Sequence, residues 1–183
     1  MRKVIAGINM TLDGYCDHTA VNADEELHQY YAEMLNHAGV LLYGRITYQL
    51  MESFWPSLIK QPSGEASLDE FAIAIDRVPK VVFSHTLKTL NWDSARLATH
   101  SIEEEIKQLR QIPGKDIYVG SPGLISALTE MKAIDEYQLC IHPVIAGRGL
   151  PLFRGITEQV SLQLKGSKTL GSGAIVHFYT PMD

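Results

Sequence analysis

Cysteine is scarce in this chain. Cys16 and Cys140 are the two among 183 residues, and they lie far apart with no metal or redox spacing between them. A disulfide framework and a thiolate cluster are thereby excluded, and a reducing, cytoplasmic location is expected. No apolar run approaches the roughly 20 residues that cross a bilayer. The amino terminus, Met1 to Met10, has a short basic start but no long apolar region or small-residue cleavage site, so it reads as a first strand and not as a leader. Lysine and arginine number 16 against 21 aspartates and glutamates, a net charge of −5, which argues against a nucleic-acid or membrane partner. There is no G-x-S-x-G elbow and no phosphate loop with a lysine. Seven histidines occur without HExxH spacing or a matching carboxylate pair, so no metal is expected. Repeats, low-complexity tracts and linkers are also missing. What remains, 45% hydrophobic and 20% charged, fits one globular domain over residues 1–183 with a sizeable core.

The stretch from Asp116 to Phe153 organises the rest. Ile117, Tyr118 and Val119 read as a buried parallel strand. Gly120-Ser121-Pro122-Gly123 follows at once, with Ser121 placed as a helix N-cap and Pro122 at the first helical position. Leu124, Leu128 and Met131 recur at helical spacing. Tyr137, Leu139 and Ile141 alternate as a strand does. This is a βαβ unit, and the turn between its first strand and helix aims backbone N–H groups outward. Such a turn is either an anion site, most often for phosphate, or an ordinary strand-to-helix connection.

Upstream, Val4 to Met10 forms a strand, and Thr11-Leu12-Asp13-Gly14 turns out of it. Asn22 or Asp24 caps a helix with a face of Leu27, Tyr31, Met34 and Ala38, which Gly39 ends. Val40 to Tyr43 is a second buried strand. Gly44 leads into a helix from Arg45 to Met51, closed by Phe54-Trp55-Pro56. Residues 57 to 67 read as loop, Leu68 to Ile75 as a short helix, Lys80 to Ser84 as a third strand and Arg96 to Thr99 as a fourth. Ser101 with Glu104 is a capping box, and Glu103-Glu104-Glu105 reads as a solvated helix face. Beyond Phe153 the pattern is β only: Val160 to Leu164 and Ile175 to Tyr179 alternate around a Gly171-x-Gly173 hairpin turn.

Alternating βα units predict an α/β fold with a mostly parallel sheet and antiparallel C-terminal strands. In such sheets ligands bind beyond the carboxyl ends of the strands. Four predicted strands end in small or polar residues: Asn9, Gly44, Ser84 and Gly120. Gly44-Arg45-x-Thr47 sets a cation and a hydroxyl on a first helical turn, which serves either a phosphate or only the helix itself. Ser84-His85-Thr86 is either a second polar contact or a simple turn. Phosphate-binding turns without a nucleophile or metal are what hydride transfer asks of a protein.

Taken together and in order, several motifs resemble one family. They are Met10 to Gly14, Tyr43 to Tyr48, Val82-Phe83-Ser84, Val119-Gly120-Ser121, and Ile134-Asp135-Glu136 leading to Pro143 through Phe153. The chain resembles the reductase (RibD C-terminal) domain of bacterial riboflavin biosynthesis, which has the dihydrofolate reductase fold, and the likeness covers nearly its whole length as one domain over 1–183. The resemblance implies a three-layer αβα dihydrofolate-reductase-like fold and NADPH as cofactor. Gly44, Arg45, Thr47, Ser84 and His85 would take the adenosine half and its 2′-phosphate. Gly120, Ser121, Gly123 and Leu124 would cradle the pyrophosphate. Asn9, Asp13 and Gly14 would border the nicotinamide and substrate, with Asp13 or a water relaying the proton.

Two departures from the family accompany it. Ser121 stands where a second consecutive glycine is usual, and the helical carboxylate that binds pterin in dihydrofolate reductases falls near His28, beside Glu25 and Glu26. The H-x-E…C-x-x-C deaminase signature does not occur. A stand-alone NADPH-dependent reductase of a pyrimidine- or pterin-like heterocycle, of the 5-amino-6-(5-phosphoribosylamino)uracil reductase kind, is the expected function. The alternatives are a non-catalytic nucleotide-binding protein and dihydrofolate reductase proper. A homodimer is compatible with the strand-rich C-terminus.

Overall fold

Strands form where apolar residues run or alternate, and helices where the spacing lengthens to three and four. The computed structural model describes residues 1–21 and 23–182. Their contacts divide into two compact units, each discontinuous in sequence: residues 1–2 with 25–118, and residues 3–24 with 119–183. The division follows strand order and not a linker, which is why no linker composition marks it.

The first unit carries α1 (Glu25–His37), β2 (Ala38–Gly44), α2 (Arg45–Glu52), α3 (Trp55–Lys60), α4 (Ala66–Arg77), β3 (Lys80–Phe83), β4 (Ala95–Leu97), α5 (Ile102–Gln111) and the start of β5 (Asp116–Val119). Its strand order is β4-β3-β2-β5, and β2, β3 and β4 run parallel, with Gly44 level with Phe83. Val40, Leu41, Leu42, Val81 and Val82 bury the sheet. The aromatic rings of His28, Trp55 and Phe71 tie α1, α3 and α4 together, with centroids 4.4 to 6.1 Å apart.

Several expectations are corrected here. The buried face of α1 is Leu27, Tyr30 and Leu35, and Ala38 and Gly39 belong to β2. Gly39 is a close-approach residue and not a helix stop: a Cβ there would lie 2.6 Å from the Lys115 carbonyl oxygen and 2.7 Å from Arg2 Nη2. The Asn22 cap lies outside the described residues. Pro56 opens α3 instead of closing α2, because proline suits a first turn, so residues 57–60 are helical. Glu105 is not solvated. It is buried, accepts Arg96 Nη2 at 2.6 Å, Arg96 Nη1 at 3.1 Å and the Thr99 N–H at 3.0 Å, and these donors hold its carboxyl down at about 2. Ser101 does cap α5 through the Glu104 N–H. Lys80 is buried too, donating to the Ile75 and Asp76 carbonyls at the end of α4 and to Ser94 Oγ, with its ammonium over the Trp92 ring.

The second unit carries β1 (Val4–Thr11), α6 (Pro122–Glu130), β6 (Glu136–His142), β7 (Leu162–Thr169) and β8 (Ile175–Pro181). Its strand order is β1-β6-β8-β7. β1 and β6 are parallel, whereas β8 is antiparallel to both β6 and β7, as the alternation beyond Phe153 predicted. The β7–β8 hairpin turns at Gly173, whose φ is +84°. The buried face of α6 is Ile125, Leu128 and Thr129. Leu124 is half-buried and Met131 is largely exposed, since Met131 is already the C-cap. Thr129 Oγ1 bonds the Tyr137 hydroxyl at 2.9 Å, joining α6 to β6. Cys140 is fully buried, as a small apolar residue in a strand would be.

Candidate functional site

The expected site residues lie at the carboxyl ends of strands, some in each unit.

In the first unit, the parallel register that sets Gly44 level with Phe83 brings the start of α2 beside the Ser84 turn. Gly44 is the N-cap of α2, extended at φ −78° and ψ 164°, with no side-chain cap. Arg45 is exposed on the first turn, and its Nη1 donates to Gln49 Oε1 one turn on, at 3.1 Å. Thr47 is half-buried on the same turn. Ser84 Oγ accepts the Thr86 and Leu87 N–H groups at 3.2 and 3.0 Å, which fixes the turn that carries the exposed His85. The register therefore sets the Gly44 end of β2, from which Arg45 and Thr47 follow, beside the Ser84 end of β3, from which His85 follows.

In the second unit, β5 ends at Val119, and Gly120 and Ser121 lead into α6. Ser121 is the N-cap by position and is buried, but its hydroxyl makes no capping bond. Proline at the next position has no N–H, so Gly123 and Leu124 carry the donors of the first turn that no helical carbonyl can reach. A Cβ on Gly123 would meet nothing within 4 Å. Internal packing therefore does not require glycine there, and the space that its side chain would take is open.

The turn after β1 is tied to the loop after β6. The Leu12 N–H donates to the Val144 carbonyl at 2.8 Å, Cys16 to Leu150 at 2.8 Å, and Leu152 to Gly14 at 3.1 Å. Gly14 needs its freedom, since its φ is +88°. Asp13 completes the tie. Its carboxylate accepts Thr11 Oγ1 at 2.6 Å, the Gly147 N–H at 2.7 Å and the Ala146 N–H at 3.1 Å. The Thr11 bond first, then the Gly147 bond, hold its carboxyl down at about 2. A carboxylate so engaged anchors the loop, so the structure gives Asp13 a tethering place.

Asn9 lies near the end of β1, half-buried, level with Cys140, while Thr11 is level with His142. The four side chains share one face of the two strands. His142 Nε2 is 3.0 Å from Asn9 Oδ1 and 3.5 Å from Cys140 Sγ. Burial pushes the imidazole below its ordinary value, with Asp24 opposing, and lifts the Cys140 thiol to about 12. Sequence reasoning missed His142 because, His28 and His85 apart, it weighed the histidines only against metal spacings. The signal available was the i, i+2 pair Cys140 and His142 on an alternating strand; its partner Asn9 is 133 positions away and only the strand pairing reveals it. Among the described residues no group of three or more histidines, cysteines or carboxylates could hold a metal, and no helix is long and apolar enough to cross a membrane.

A cavity of about 280 Å³ lies elsewhere in the first unit, at the amino ends of β2, β3 and β4, lined by Arg2, Lys80 and Arg96 among others. Those cations are engaged by carbonyls, a hydroxyl and Glu105, and the cavity opens at the wrong end of the strands for the chemistry above.

Residues 2–176 match the family model of the RibD C-terminal domain, and the chain belongs to that family. It is 29% identical over 182 residues to the uncharacterized protein YyaP of Bacillus subtilis, covering 97% of this chain and 94% of that one. A pyrimidine reductase-like protein from Corynebacterium diphtheriae superposes with a TM-score of 0.68 at 14% identity, over 100% of this chain and 92% of that one. Dihydrofolate reductase from Enterococcus faecalis, complexed with NADP(H), superposes with a TM-score of 0.64 at 13% identity, over 99% and 97%. The fold is thus the dihydrofolate-reductase-like α/β fold, with mostly parallel strands, antiparallel C-terminal strands and flanking helices.

Proposed function

We propose that the protein is an NADPH-dependent reductase of the riboflavin-biosynthesis type, acting on a pyrimidine- or pterin-like heterocycle. The observation that carries this is the first turn of α6: two donors without helical partners, a proline that supplies none, and open space where a Gly123 side chain would otherwise stand. That arrangement fits a pyrophosphate. NADPH, when bound, supplies the hydride. Gly120, Ser121, Gly123 and Leu124 hold the pyrophosphate. Arg45, held on the first turn of α2 by Gln49, meets the 2′-phosphate with a planar fork suited to it, and Gly44, Thr47, Ser84 and His85 complete that contact. Asn9 and Gly14 border the nicotinamide and the substrate, and Asp13 keeps the neighbouring loop in place. Membership of a reductase-domain family and the fold shared with a reductase complexed with NADP(H) support the same reading.

The test is turnover. Purified protein with NADPH and 5-amino-6-(5-phosphoribosylamino)uracil, with a dihydropterin in parallel, is followed by loss of absorbance from the reduced nicotinamide. Oxidation that depends on one heterocycle supports the reading. Tight NADPH binding with no turnover of either would favour a nucleotide-binding protein without catalysis.

A further inference from the structure

We infer that the cavity at the amino ends of β2, β3 and β4 is a second binding site, built around the Arg2 guanidinium to take one tetrahedral oxyanion of the phosphate class. It lies wholly within the first unit, at the strand ends opposite Gly44 and Ser84, and it does not depend on the cofactor reading.

Arg2 carries a buried charge that nothing in contact with it balances. It is 8% exposed, and a cation that deep is ordinarily paired. Its Nε and Nη1 donate to the backbone carbonyls of Lys115 and Leu109, which satisfy N–H groups but carry no charge. The ion pairs among the described residues join Lys3, Arg96 and His100 to glutamates and leave Arg2 out. Asp116 acts on it only from beyond ion-pair distance, and burial outweighs that help, so the guanidinium is held below its ordinary value. Nη2 makes no hydrogen bond among the described residues. It stands 2.7 Å from where a Cβ on Gly39 would be, so the bare backbone at Gly39 is what admits it to the cavity wall. Lys80 adds a second cation to that wall. It is 1% exposed, and its partners are two carbonyls, the Ser94 hydroxyl and the Trp92 ring, none of them an anion. Burial pushes its ammonium down to about 7 despite Asp76. Arg96 is a third cation, but Glu105 neutralises it. Asp93, exposed, is the one carboxylate of the lining. Two buried cations without counterions, a guanidinium edge with unused hydrogens and about 280 Å³ of space together suit an oxyanion, whose geometry the arginine fork matches. The volume falls below the roughly 300–1,000 Å³ of sites for larger ligands, which fits a single oxyanion and not a nucleotide.

The test is a titration of the isotope-labelled full chain with inorganic phosphate, and with sulfate in parallel, followed by proton–nitrogen NMR against sodium chloride of equal ionic strength. It is run at slightly acid pH, where the Lys80 ammonium persists. Saturable shifts are expected at the Arg2 guanidinium and at the backbone amides of Gly39 and Ser94. Asp93→Asn removes the opposing charge and should tighten phosphate about threefold. Arg2→Gln removes the fork and should weaken it about tenfold or more. Asp93 is exposed, so Asp93→Asn decides the matter if Arg2→Gln does not fold. Shifts that never saturate, or an affinity unchanged in Asp93→Asn or in folded Arg2→Gln, overturn the inference. So do shifts confined to residues 44–47, 84–85 or 120–124, which would assign the ion to the turns proposed for the cofactor and leave that reading standing.

Discussion

The Asp13 carboxylate accepts the Gly147 N–H at 2.7 Å and the Ala146 N–H at 3.1 Å, so the turn leaving β1 and the loop leaving β6 are one tethered pair. Asp13→Ala should speed amide hydrogen exchange at Ala146 and Gly147 and leave the β1–β6 ladder protected. The pH dependence has a definite sign. The folded carboxyl sits at about 2, below its ordinary 3.8, so the tether is fully present above about 3.8 and is lost as the pH falls toward 2. Unchanged exchange at 146 and 147 in the alanine variant would remove the tether from the account.

Gly123 separates stability from binding. A Cβ there meets nothing within 4 Å, and alanine is the better helix former by up to about 1 kcal/mol. Gly123→Ala should therefore melt at the same temperature or slightly higher. It should lose about tenfold or more in NADPH affinity, because the methyl group would stand in the approach proposed for the pyrophosphate. Calorimetry and a thermal melt on one sample check both halves.

Gly39 makes the opposite case. An added Cβ would stand 2.6 Å from the Lys115 carbonyl oxygen and 2.7 Å from Arg2 Nη2, and the carbonyl is backbone that cannot swing aside. Gly39→Ala should cost about 1–3 kcal/mol in chemical denaturation. A neutral result would mean that β2 and the chain around Lys115 separate more easily than the packing implies.

Glu105 is 1% exposed, whereas the Arg96 side chain that pairs with it is about half exposed. Glu105→Gln strips the carboxylate from Arg96 and weakens the bond from the Thr99 N–H. The cost should be about 2–3 kcal/mol, below that of a fully buried pair because water reaches the guanidinium. With the carboxyl held at about 2 against an ordinary 4.5, the contribution is present above about 4.5 and is lost as the pH falls toward 2. Wild type and variant should thus converge in stability on acidification, which urea titrations at several pH values would reveal.

The sequence made the elements legible where periodicity is strong. The βαβ unit from Asp116, the C-terminal hairpin and the Ser101 cap follow from local patterns. Pro56 misled because proline both stops one helix and starts the next, and only the following apolar spacing could separate the two. Gly39 misled because a glycine after a helix is usually its stop, whereas here the constraint is the Lys115 carbonyl, 76 positions away in sequence. The burial of Glu105 and the pairing of His142 were illegible for the same reason. Their partners, Arg96 across a turn and Asn9 on another strand, are set by tertiary pairing, and burial of a polar residue leaves no periodic trace. At the strand ends, Gly44 with Arg45 and Ser84 with His85 were found as two motifs, and the register of β2 with β3 sets the two strand ends side by side.

The most direct test of the central claim is calorimetric titration of the wild-type protein and Arg45→Ala with NADPH and NADH. The account predicts micromolar NADPH binding, much weaker NADH binding, and an arginine variant that loses most of its preference because it loses NADPH affinity alone. Equal affinity for both cofactors, or an equal loss of both in Arg45→Ala, would contradict it.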